Sequence, residues 1–347
     1  MIDYNDIIFN HIVLHWAGNK SAEEGIIFSD SLISLEDENL TRVLLTYFLS
    51  SFSGNEMYRF YNDVGIEQNE MFTVARRIFN QPDDIFNQSK VIAQHLYNCS
   101  LHPKIKSGEI YVAYFENILL DNECTEAIGI FKSESKEEYI KADVENKNNL
   151  LSCDIGTTID KLDKGCLIFN IDEEKGYKVC IIDNLNKSAE AAYWKDDFLC
   201  VQPLQNEFHQ TNQFLGIAKQ YVTKQITKEF DVTKADQIDL LNRSVAYFKT
   251  HESFEKDDFE KEVLGDSNVI ESFRSFDKSY REENSVEVAD SFEISKQAVK
   301  KQSRIFKSVL KLDKNFHIYI HGNRELIEQG IDEKGRKYYK IYYEEEN

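Results

Sequence analysis

The chain has 347 residues, an apolar fraction of 41% and a formal net charge of −20. Its length fits about two domains with a substantial core, and its apolar content excludes a wholly disordered chain. No apolar run approaches the roughly 20 residues that a membrane-spanning helix requires, and residues 1–10 (MIDYNDIIFN) lack the basic region of a secretory signal. We therefore expect a cytoplasmic protein.

The N-terminal part begins with strand patterns and continues with helical ones. Apolar periodicity predicts two strands and then three helices, at residues 7–16, 25–35, 37–61, 68–79 and 84–98. Gly54 is a predicted break within the first helix, and Pro82 separates the last two. Pro103 ends this helical block, because the residue before a proline is steered away from helical geometry.

The middle of the chain changes to antiparallel strand patterns. Residues 109–120 (EIYVAYFENILL) and 127–134 (AIGIFKSE) predict one pair of strands. Residues 166–171 and 177–183 predict another pair, joined by the turn-forming residues 172–176. Helices followed by antiparallel strands indicate an α+β domain rather than a doubly wound one.

After residue 205 the pattern becomes helical again. Four periodic segments predict helices at residues 211–228, 234–251, 256–264 and 267–283. Thr233 and Ser267 stand at predicted N-cap positions, and Gly265 stands where a helix should stop. Residues 315–321 and 337–343 alternate and predict a short terminal hairpin or strand pair.

The predicted fold class is therefore α+β. An N-terminal α+β domain with an antiparallel sheet should occupy residues 1–205. A mainly helical domain closed by short strands should occupy residues 206–347.

The six cysteines favour a reduced core over a disulfide framework or a zinc site. No two of them form a CxxC pair, and several lie in apolar surroundings such as GCLIF and KVCII. They are Cys99, Cys124, Cys153, Cys166, Cys180 and Cys200.

Residues 295–314 (SKQAVKKQSRIFKSVLKLDK), here called the basic segment, invert the charge of the chain. They carry seven Lys/Arg and one acid, Asp313, in a protein of net charge −20. Ser295 can cap a helix on which Lys296, Lys300, Arg304, Lys307 and Lys311 recur at three- and four-residue steps along one face. If the chain changes to a strand near Ile305, Lys307 and Lys311 still share one side.

The basic segment supports two interpretations. Lysines and arginines in a row can neutralise DNA phosphates and release counterions without reading sequence. The candidate DNA-binding residues are Lys296, Lys300, Lys301, Arg304, Lys307 and Lys311. Alternatively, the row is a solvated face that pairs with Glu282, Glu283 or residues 344–346, and the charge pattern alone favours this second interpretation.

Two His-x3-His pairs, His11/His15 and His317/His321, resemble metal ligands only superficially. Both pairs fall in predicted strands, where residues four apart are about 13 Å apart. One metal ion with bonds near 2 Å cannot span that gap, so we predict no metal site.

Catalytic signals are weak throughout the chain. Residues 173–175 (EEK) and 332–334 (DEK) echo the carboxylate-x-Lys spacing of metal-dependent nucleases, but both lie in predicted turns. The sequence contains no GxSxG, P-loop or dinucleotide fingerprint. We predict no catalytic residues, no cofactor and no enzymatic activity.

Tyrosines near the end of the chain could stack on single-stranded bases, since basic residues lie beside them. Ordinary packing at a sheet edge explains them better. They are Tyr338, Tyr339, Tyr342 and Tyr343, next to Arg336, Lys337 and Lys340.

Several segments together resemble the bacterial nucleoid-associated proteins of the NdpA-like kind. Their order and spacing carry the resemblance, which extends over the whole chain. They are HPKIKSGEIYVAYF (102–115), AIGIFKSE (127–134), KLDKGCLIFN (161–170), YWKDDFL (193–199), KADQIDLL (234–241), AVKKQSRIFKSVLKLDKNFHIYIHG (298–322) and KYYKIYYEEE (337–346).

The resemblance implies association with bacterial chromosomal DNA in the nucleoid, no known enzymatic activity, and contact with the topoisomerase that unlinks daughter chromosomes. It reverses our preference about the basic segment, which we then expect to bind duplex DNA with little sequence preference. The alternative is an acidic adaptor that reaches the nucleoid through a partner such as a topoisomerase subunit. A metal-dependent nuclease is the weakest of the three hypotheses.

Overall fold

The computed structural model describes residues 2–52, 56–143, 150–185, 193–284, 286–304, 309–312, 314–320, 326–343 and 345. The chain forms two compact units, Met1–Leu204 and Gln205–Asn347. Helices and an antiparallel sheet occur together, so the predicted α+β class is confirmed. None of the described helices is both long enough and apolar enough to cross a bilayer.

The first unit is built around one large sheet with three helices. The helices are α1 (Glu38–Leu49), α2 (Glu70–Asn80) and α3 (Ile85–Cys99). The strands are β1 (Ile2–Asp3), β2 (Ile8–Ala17), β3 (Ile26–Ile27), β4 (Met57–Phe60), β5 (Gly108–Leu120), β6 (Glu123–Ser133), β7 (Glu137–Asp143), β8 (Leu150–Gly156), β9 (Lys164–Phe169), β10 (Lys178–Asp183) and β11 (Val201–Pro203).

The sheet order is β11-β4-β10-β9-β6-β5-β2-β3, with β1 also paired to β5. Every pairing in it is antiparallel, and the predicted β5–β6 and β9–β10 pairs are confirmed. Alternate residues of each strand face opposite sides. One face carries residues such as Val112 and Ile130 toward α2 and α3, and the other carries residues such as Ala113 and Phe131 toward α1. Both faces are therefore covered by helices.

The predicted helix over residues 37–61 is correct only in its first half. Helix α1 begins after its cap Asp37, whose carboxylate accepts from the amides of Asn39 and Leu40, and it ends at Leu49. Residues 57–60 form β4 instead, which pairs with β10 and β11. Pairing with distant strands decides the structure of this short apolar segment.

His15 of β2 has a structural role, as the strand interpretation of the His-x3-His pairs predicted. The side chain is 2% exposed, its Nδ1 accepts from the amide of Ser29 at 3.0 Å, and its Nε2 lies 2.9 Å from Ser89 Oγ. Ser89 Oγ in turn donates to the carbonyl of Phe86. This chain of bonds fixes the neutral tautomer with the proton on Nε2. Burial first, and then Lys90, lower the pKa of His15 to about 4.

The lowered pKa predicts a loss of stability in mild acid. The unfolded chain binds a proton near pH 6.5 and the folded chain does not, so stability falls as pH drops from 6.5 towards 4. Between pH 7.5 and 5.5 this histidine should contribute a loss of about 1.4 kcal/mol. Urea unfolding at both pH values should show a decrease in the free energy of unfolding that is about 1.4 kcal/mol smaller in His15→Gln than in the wild type. An equal loss in both proteins would contradict the assignment.

The second unit is mainly helical, with short strands between and after its helices. The helices are α4 (Glu207–Gln220), α5 (Ile226–Glu229), α6 (Lys234–Thr250), α7 (Lys256–Phe259), α8 (Ser267–Asn284) and α9 (Lys296–Ser303). The strands are β12 (Ser253–Glu255), β13 (Ser291–Glu293), β14 (Val309–Leu312), β15 (Phe316–Tyr319), β16 (Ile327–Ile331) and β17 (Lys337–Ile341).

Aromatic side chains fill the core of this unit. The ring centroids of Phe214 and Phe254 are 4.2 Å apart, and Phe248 stacks on Phe254 at 5.3 Å. Such pairs contribute about 0.5–1.5 kcal/mol beyond the area they bury. Because these rings come from α4, α6 and the segment that follows α6, they hold the helices of this unit around one core.

The helix ends follow local sequence signals, with one exception. Thr233 forms a reciprocal capping box with Asp236 at the start of α6, as its position predicted. Gly265 has φ 74° and ends the helical turn before α8. Ser267 was predicted to cap α8, but the cap is Asp266, whose carboxylate accepts from the amides of Asn268 and Val269 at 2.8 and 3.2 Å. An ionised carboxylate makes the stronger bond to these amides.

The terminal strands pair differently from the prediction. Residues 315–321 and 337–343 were expected to form one hairpin or strand pair, but β15 pairs with β14 and β17 pairs with β16. Leu310 and Ile327 from the two hairpins share a small core with Ala235 and Ile238 of α6. The hairpins therefore close the unit by packing on α6.

All six cysteines are free thiols. Cys166 and Cys180 are buried in the sheet, where they behave as small apolar side chains, whereas Cys124 and Cys153 are exposed.

Candidate nucleic-acid interface

Helix α9 begins where the sequence predicted. Ser295 has extended backbone angles (φ −79°, ψ 110°), and its Oγ accepts from the amide of Ala298 at 3.4 Å. Serine is favoured at this position because its hydroxyl satisfies an amide of the first turn. Ala298 and Val299 are buried, and α9 packs against α4 and α6. The helix therefore presents its remaining side to solvent.

Two polar contacts fix α9 on α4. The amide of Ser295 donates to Thr211 Oγ1 at 3.1 Å, and Gln302 Nε2 donates to Asn212 Oδ1. These bonds lie at the two ends of the helix. The orientation of the exposed side is consequently defined by more than apolar packing.

Four of the six predicted cations lie on or at the end of α9, and all four are exposed: Lys296, Lys300, Lys301 and Arg304. Lys296 and Lys300 are four residues apart, so they lie one turn apart on the same side. Lys301 Nζ lies 5.4 Å from the ring centroid of Phe208, a cation–π distance.

The basic segment is not one continuous helix. Arg304 is the C-terminal cap of α9, and Lys311 lies in strand β14. Lys307 lies in residues 305–308, which are outside the described part of the chain. The interpretation with five cations along one helix face is wrong, and the alternative with a change from helix to strand is confirmed. That change separates Lys311 from the helical row.

Lys311 faces solvent beside two ring side chains that the sequence analysis did not connect with it. The register of β14 and β15 places Lys311 opposite His317 and Val309 opposite Tyr319. Lys311 and His317 are exposed, and Tyr319 is 66% exposed. The turn-forming residues 313–315 (DKN) between two apolar stretches were the signal for this hairpin.

The described cations of the basic segment carry no carboxylate partner. Among the described residues, no carboxylate lies within 4.0 Å of a charged nitrogen of Lys296, Lys300, Lys301, Arg304 or Lys311. The predicted pairing with Glu282 or Glu283 is therefore not formed, and Glu344 and Glu346 lie outside the described residues.

Several cations elsewhere in the same unit are paired closely with carboxylates. Arg274 Nη2 lies 2.5 Å from Glu260, and Asp277 accepts from Lys256 at 2.7 Å and from Arg281 at 2.6 Å. The positive charge of the basic segment is by contrast available to an external anion.

The other predicted candidates have ordinary structural contacts. His11 and His15 both lie in β2 and His317 lies in β15, while His321 is outside the described residues. The described residues contain no group of three or more His, Cys, Asp or Glu side chains that could hold a metal ion.

Both carboxylate-x-Lys motifs occur in turns, as predicted. Glu173 pairs with Arg76 at 2.9 Å at the turn before β10. Asp332 accepts from the amides of Lys334 and Arg336 at 2.9 and 2.8 Å. These carboxylates stabilise turns rather than converge on a common point.

The terminal tyrosines pack within their hairpin. Tyr339 packs against the small core on α6. The hydroxyl of Tyr342 donates to Glu328 at 2.8 Å, and Lys340 Nζ lies 4.7 Å from the centroid of the Tyr342 ring. The packing interpretation therefore describes these tyrosines better than base stacking, although Tyr343 is 70% exposed.

The first unit contains a buried charged cluster that the sequence analysis missed. The side chains of Lys132 and Lys164 are fully buried and lie directly opposite each other on β6 and β9. Glu134 lies between them, 3.0 Å from Lys132 Nζ and 3.9 Å from Lys164 Nζ, and Asp183 lies 3.0 Å from Lys164 Nζ. Tyr193 donates to Glu134 at 3.3 Å. The charged groups of this cluster therefore have their partners inside the first unit.

Comparison with known proteins gives one family. The family model described as nucleoid-associated protein YejK matches residues 13–339, which include the buried cluster and the whole basic segment. A search of curated proteins found no significant match.

Proposed function

The chain belongs to the nucleoid-associated protein YejK family, and we propose that it binds duplex DNA directly, with little sequence preference and without catalysing a reaction. This proposal rests on the exposed cations of the basic segment, which have no carboxylate partner in the described part of the chain. They are Lys296, Lys300, Lys301, Arg304 and Lys311, with Lys307 as the sixth predicted contact.

The arrangement suits the DNA backbone better than the base edges. Lysine is a compact point charge that contacts phosphate without a fixed geometry, and five of the six predicted contacts are lysines. Phosphate contacts position a protein on the duplex but carry no sequence information. We accordingly expect similar affinity for duplexes of different sequence, and a location in the nucleoid.

The second candidate is an adaptor, and the net charge of −20 favours it. An acidic surface attracts basic partners and repels DNA outside the basic segment. In that case the chain would reach the chromosome through a basic protein such as a topoisomerase subunit, and its association with DNA would be indirect.

A salt titration with purified protein and duplex DNA separates the two candidates. Six phosphate contacts predict that log affinity falls with log salt concentration at a slope of about −5, since each contact contributes about 0.9. Fluorescence anisotropy with two duplexes of unrelated sequence should give the same slope for both. An adaptor would show no binding even at low salt, and that result would exclude the direct mechanism. Intact duplex after incubation with Mg²⁺ would argue against a nuclease.

A further inference from the structure

A groove in the first unit, here called the α1 groove, is lined by helix α1 and by residues of the turn that joins β1 to β2. Its volume of about 350 Å³ is at the lower end of the range of ligand pockets, about 300–1,000 Å³. Tyr4, Ile7, Leu35 and Leu45 supply apolar side chains to it. A groove of this size and lining suits one large apolar side chain of a ligand.

The shape of the α1 groove is fixed by packing beneath it. Ile7, Leu35 and Leu45 are half-buried and pack against the core on the α1 side of the sheet. Glu38 and Arg42 lie on the same side of α1 as Leu45, because residues three and four apart share one side of a helix. The groove is therefore formed before any ligand arrives, with an apolar base and polar residues along the helix.

A second depression begins at the same turn and is acidic. Its volume is about 230 Å³, and Asp3 and Asp6 line it. Asp3 also accepts from the amide of Asn5 at 2.9 Å. In the described part of the chain, no charged nitrogen of a Lys, Arg or His lies within 4.0 Å of either carboxylate. Both carboxylates can therefore contact an external cation.

The α1 groove and the acidic depression lie close enough to bind one ligand. Asp3 and Asp6 alternate along the chain with Tyr4 and Ile7, so the two depressions begin at adjacent residues, whose Cα atoms are about 3.8 Å apart. Six residues of extended peptide span about 20 Å, which is enough to reach both.

Charge decides which ligand fits. Residues 1–50 contain eight Asp/Glu, and their Lys/Arg residues are Lys20 and Arg42. Such a surface repels nucleic acids and acidic peptides. A ligand that joins an apolar side chain to a positive charge is complementary to the groove and to the depression at once.

We propose that the α1 groove and the acidic depression together bind a peptide segment of a basic protein. A large apolar side chain of the segment occupies the groove, and a lysine or arginine contacts Asp3 and Asp6. This site belongs to the first unit, whereas the basic segment belongs to the second. The proposal therefore stands whether or not the basic segment binds DNA.

Fluorescence polarisation with short labelled peptides tests the proposal on the full-length chain. Each peptide carries one tryptophan and two arginines in a glycine–serine background, because tryptophan and arginine are enriched at the strongest contacts of interfaces. The panel varies the spacing between the tryptophan and the arginines, and it includes both orders.

At physiological salt, at least one peptide should bind with a Kd on the order of 10–100 µM, since the site is much smaller than a standard interface of about 1,600 Å². Changing its tryptophan to serine, or its arginines to glutamates, should weaken binding at least about tenfold. If no peptide binds with a Kd below about 1 mM, the proposal is wrong.

Two variants locate the peptide, each with a matched control, and all four positions are exposed. Thr46→Trp places a ring in the α1 groove and should weaken binding by about tenfold or more, whereas Asn39→Trp adds the same ring to α1 outside the groove and should not. Asp6→Asn should weaken binding by about three- to tenfold. Asp160→Asn removes the same charge elsewhere in the first unit and should have almost no effect. Thermal melts check folding.

Three outcomes would overturn the proposal. Binding that survives Thr46→Trp, or equal losses in Asp6→Asn and Asp160→Asn, would mean that net charge alone attracts the peptide. Equally strong binding of N-acetyltryptophanamide would mean that the groove takes a small apolar ligand without a basic segment. The assay contains no DNA, so its failure would leave the proposal of direct DNA binding intact, and the reverse also holds.

Discussion

Replacing Glu134 by glutamine is expected to lower the free energy of unfolding by about 3–5 kcal/mol. Glu134 is 3.0 Å from Lys132 Nζ, and both side chains are almost completely buried. The substitution leaves Lys132 with the carbonyl of Lys106 at 2.7 Å and the hydroxyl of Tyr193 at 3.3 Å, which are neutral partners. A buried ammonium without a counter-ion is costly, because the interior solvates charge poorly.

The variant should also have a distinctive pH dependence. Burial already lowers the pKa of Lys132, and Glu134 is the main group that opposes this shift. Without Glu134 the pKa of Lys132 in the folded chain should fall further, so the folded chain releases this proton at a lower pH than the unfolded chain does. The unfolded state then binds more protons, so stability should rise with pH by up to about 1.4 kcal/mol per unit between pH 7 and 9. Urea unfolding at both values measures this slope against that of the wild type.

A matched substitution tests whether burial causes the effect. Glu67 pairs with Arg76 at 2.9 Å, but their side chains are 62% and 43% exposed. Glu67→Gln should cost at most about 1 kcal/mol, because exposed ion pairs contribute little. Adding Lys132→Met to Glu134→Gln should recover much of the lost stability by removing the unpaired charge. If Glu134→Gln costs no more than Glu67→Gln, Glu134 does not balance the buried charge of Lys132.

The sequence predicts two kinds of feature well: strands with a long alternating pattern, and helix caps that depend on hydrogen bonds between near neighbours in the chain. Strands β5 and β6 alternate over many residues and meet at a tight turn, so their pairing could be predicted. The caps Thr233 and Ser295 depend on hydrogen bonds within four residues, and both were identified correctly. Local chemistry determines these features, and tertiary packing only reinforces them.

Non-local pairing explains the features that were missed. Residues 57–60 have apolar spacing compatible with a helix, but their amides pair with β10 and β11, which lie far along the chain. The buried charges show the same limit. No local signal marks Lys132 and Lys164 as buried, because their burial depends on the β6–β9 register that places them opposite each other beside Tyr193.

The candidate interface combines both kinds of feature. Its helical row follows from Ser295 and the spacing of Lys296 and Lys300, which the sequence shows directly. The position of Lys311 depends on the pairing of β14 with β15, and the sequence left a helix and a strand open for it. Helix α9 and strand β14 both contribute cations to the candidate interface. A variant that neutralises residues in both elements therefore tests the surface as a whole.

Neutralising Lys296, Lys300, Arg304 and Lys311 together is expected to abolish most of the affinity for duplex DNA. Four lost phosphate contacts should reduce the slope of log affinity against log salt by roughly three to four, and equally for unrelated sequences. Alanine is the best helix former, which suits the positions in α9, and all four side chains, including Lys311 in β14, are exposed. Each change should therefore alter stability by about 0.5 kcal/mol or less. A thermal melt checks that the variant remains folded.

A second quadruple variant separates the effect of phosphate contacts by the basic segment from the effect of the net charge of the chain. The control uses four of the exposed lysines that lie outside the basic segment in the same unit, and their replacement by alanine makes the chain more acidic by the same amount: Lys228, Lys249, Lys261 and Lys278. This control should retain nearly the whole salt slope, because the slope counts phosphates contacted rather than total charge. Equal loss in both variants would mean that long-range charge alone governs binding. Full affinity and slope in a folded variant of the basic segment would show that its cations are only a solvated surface.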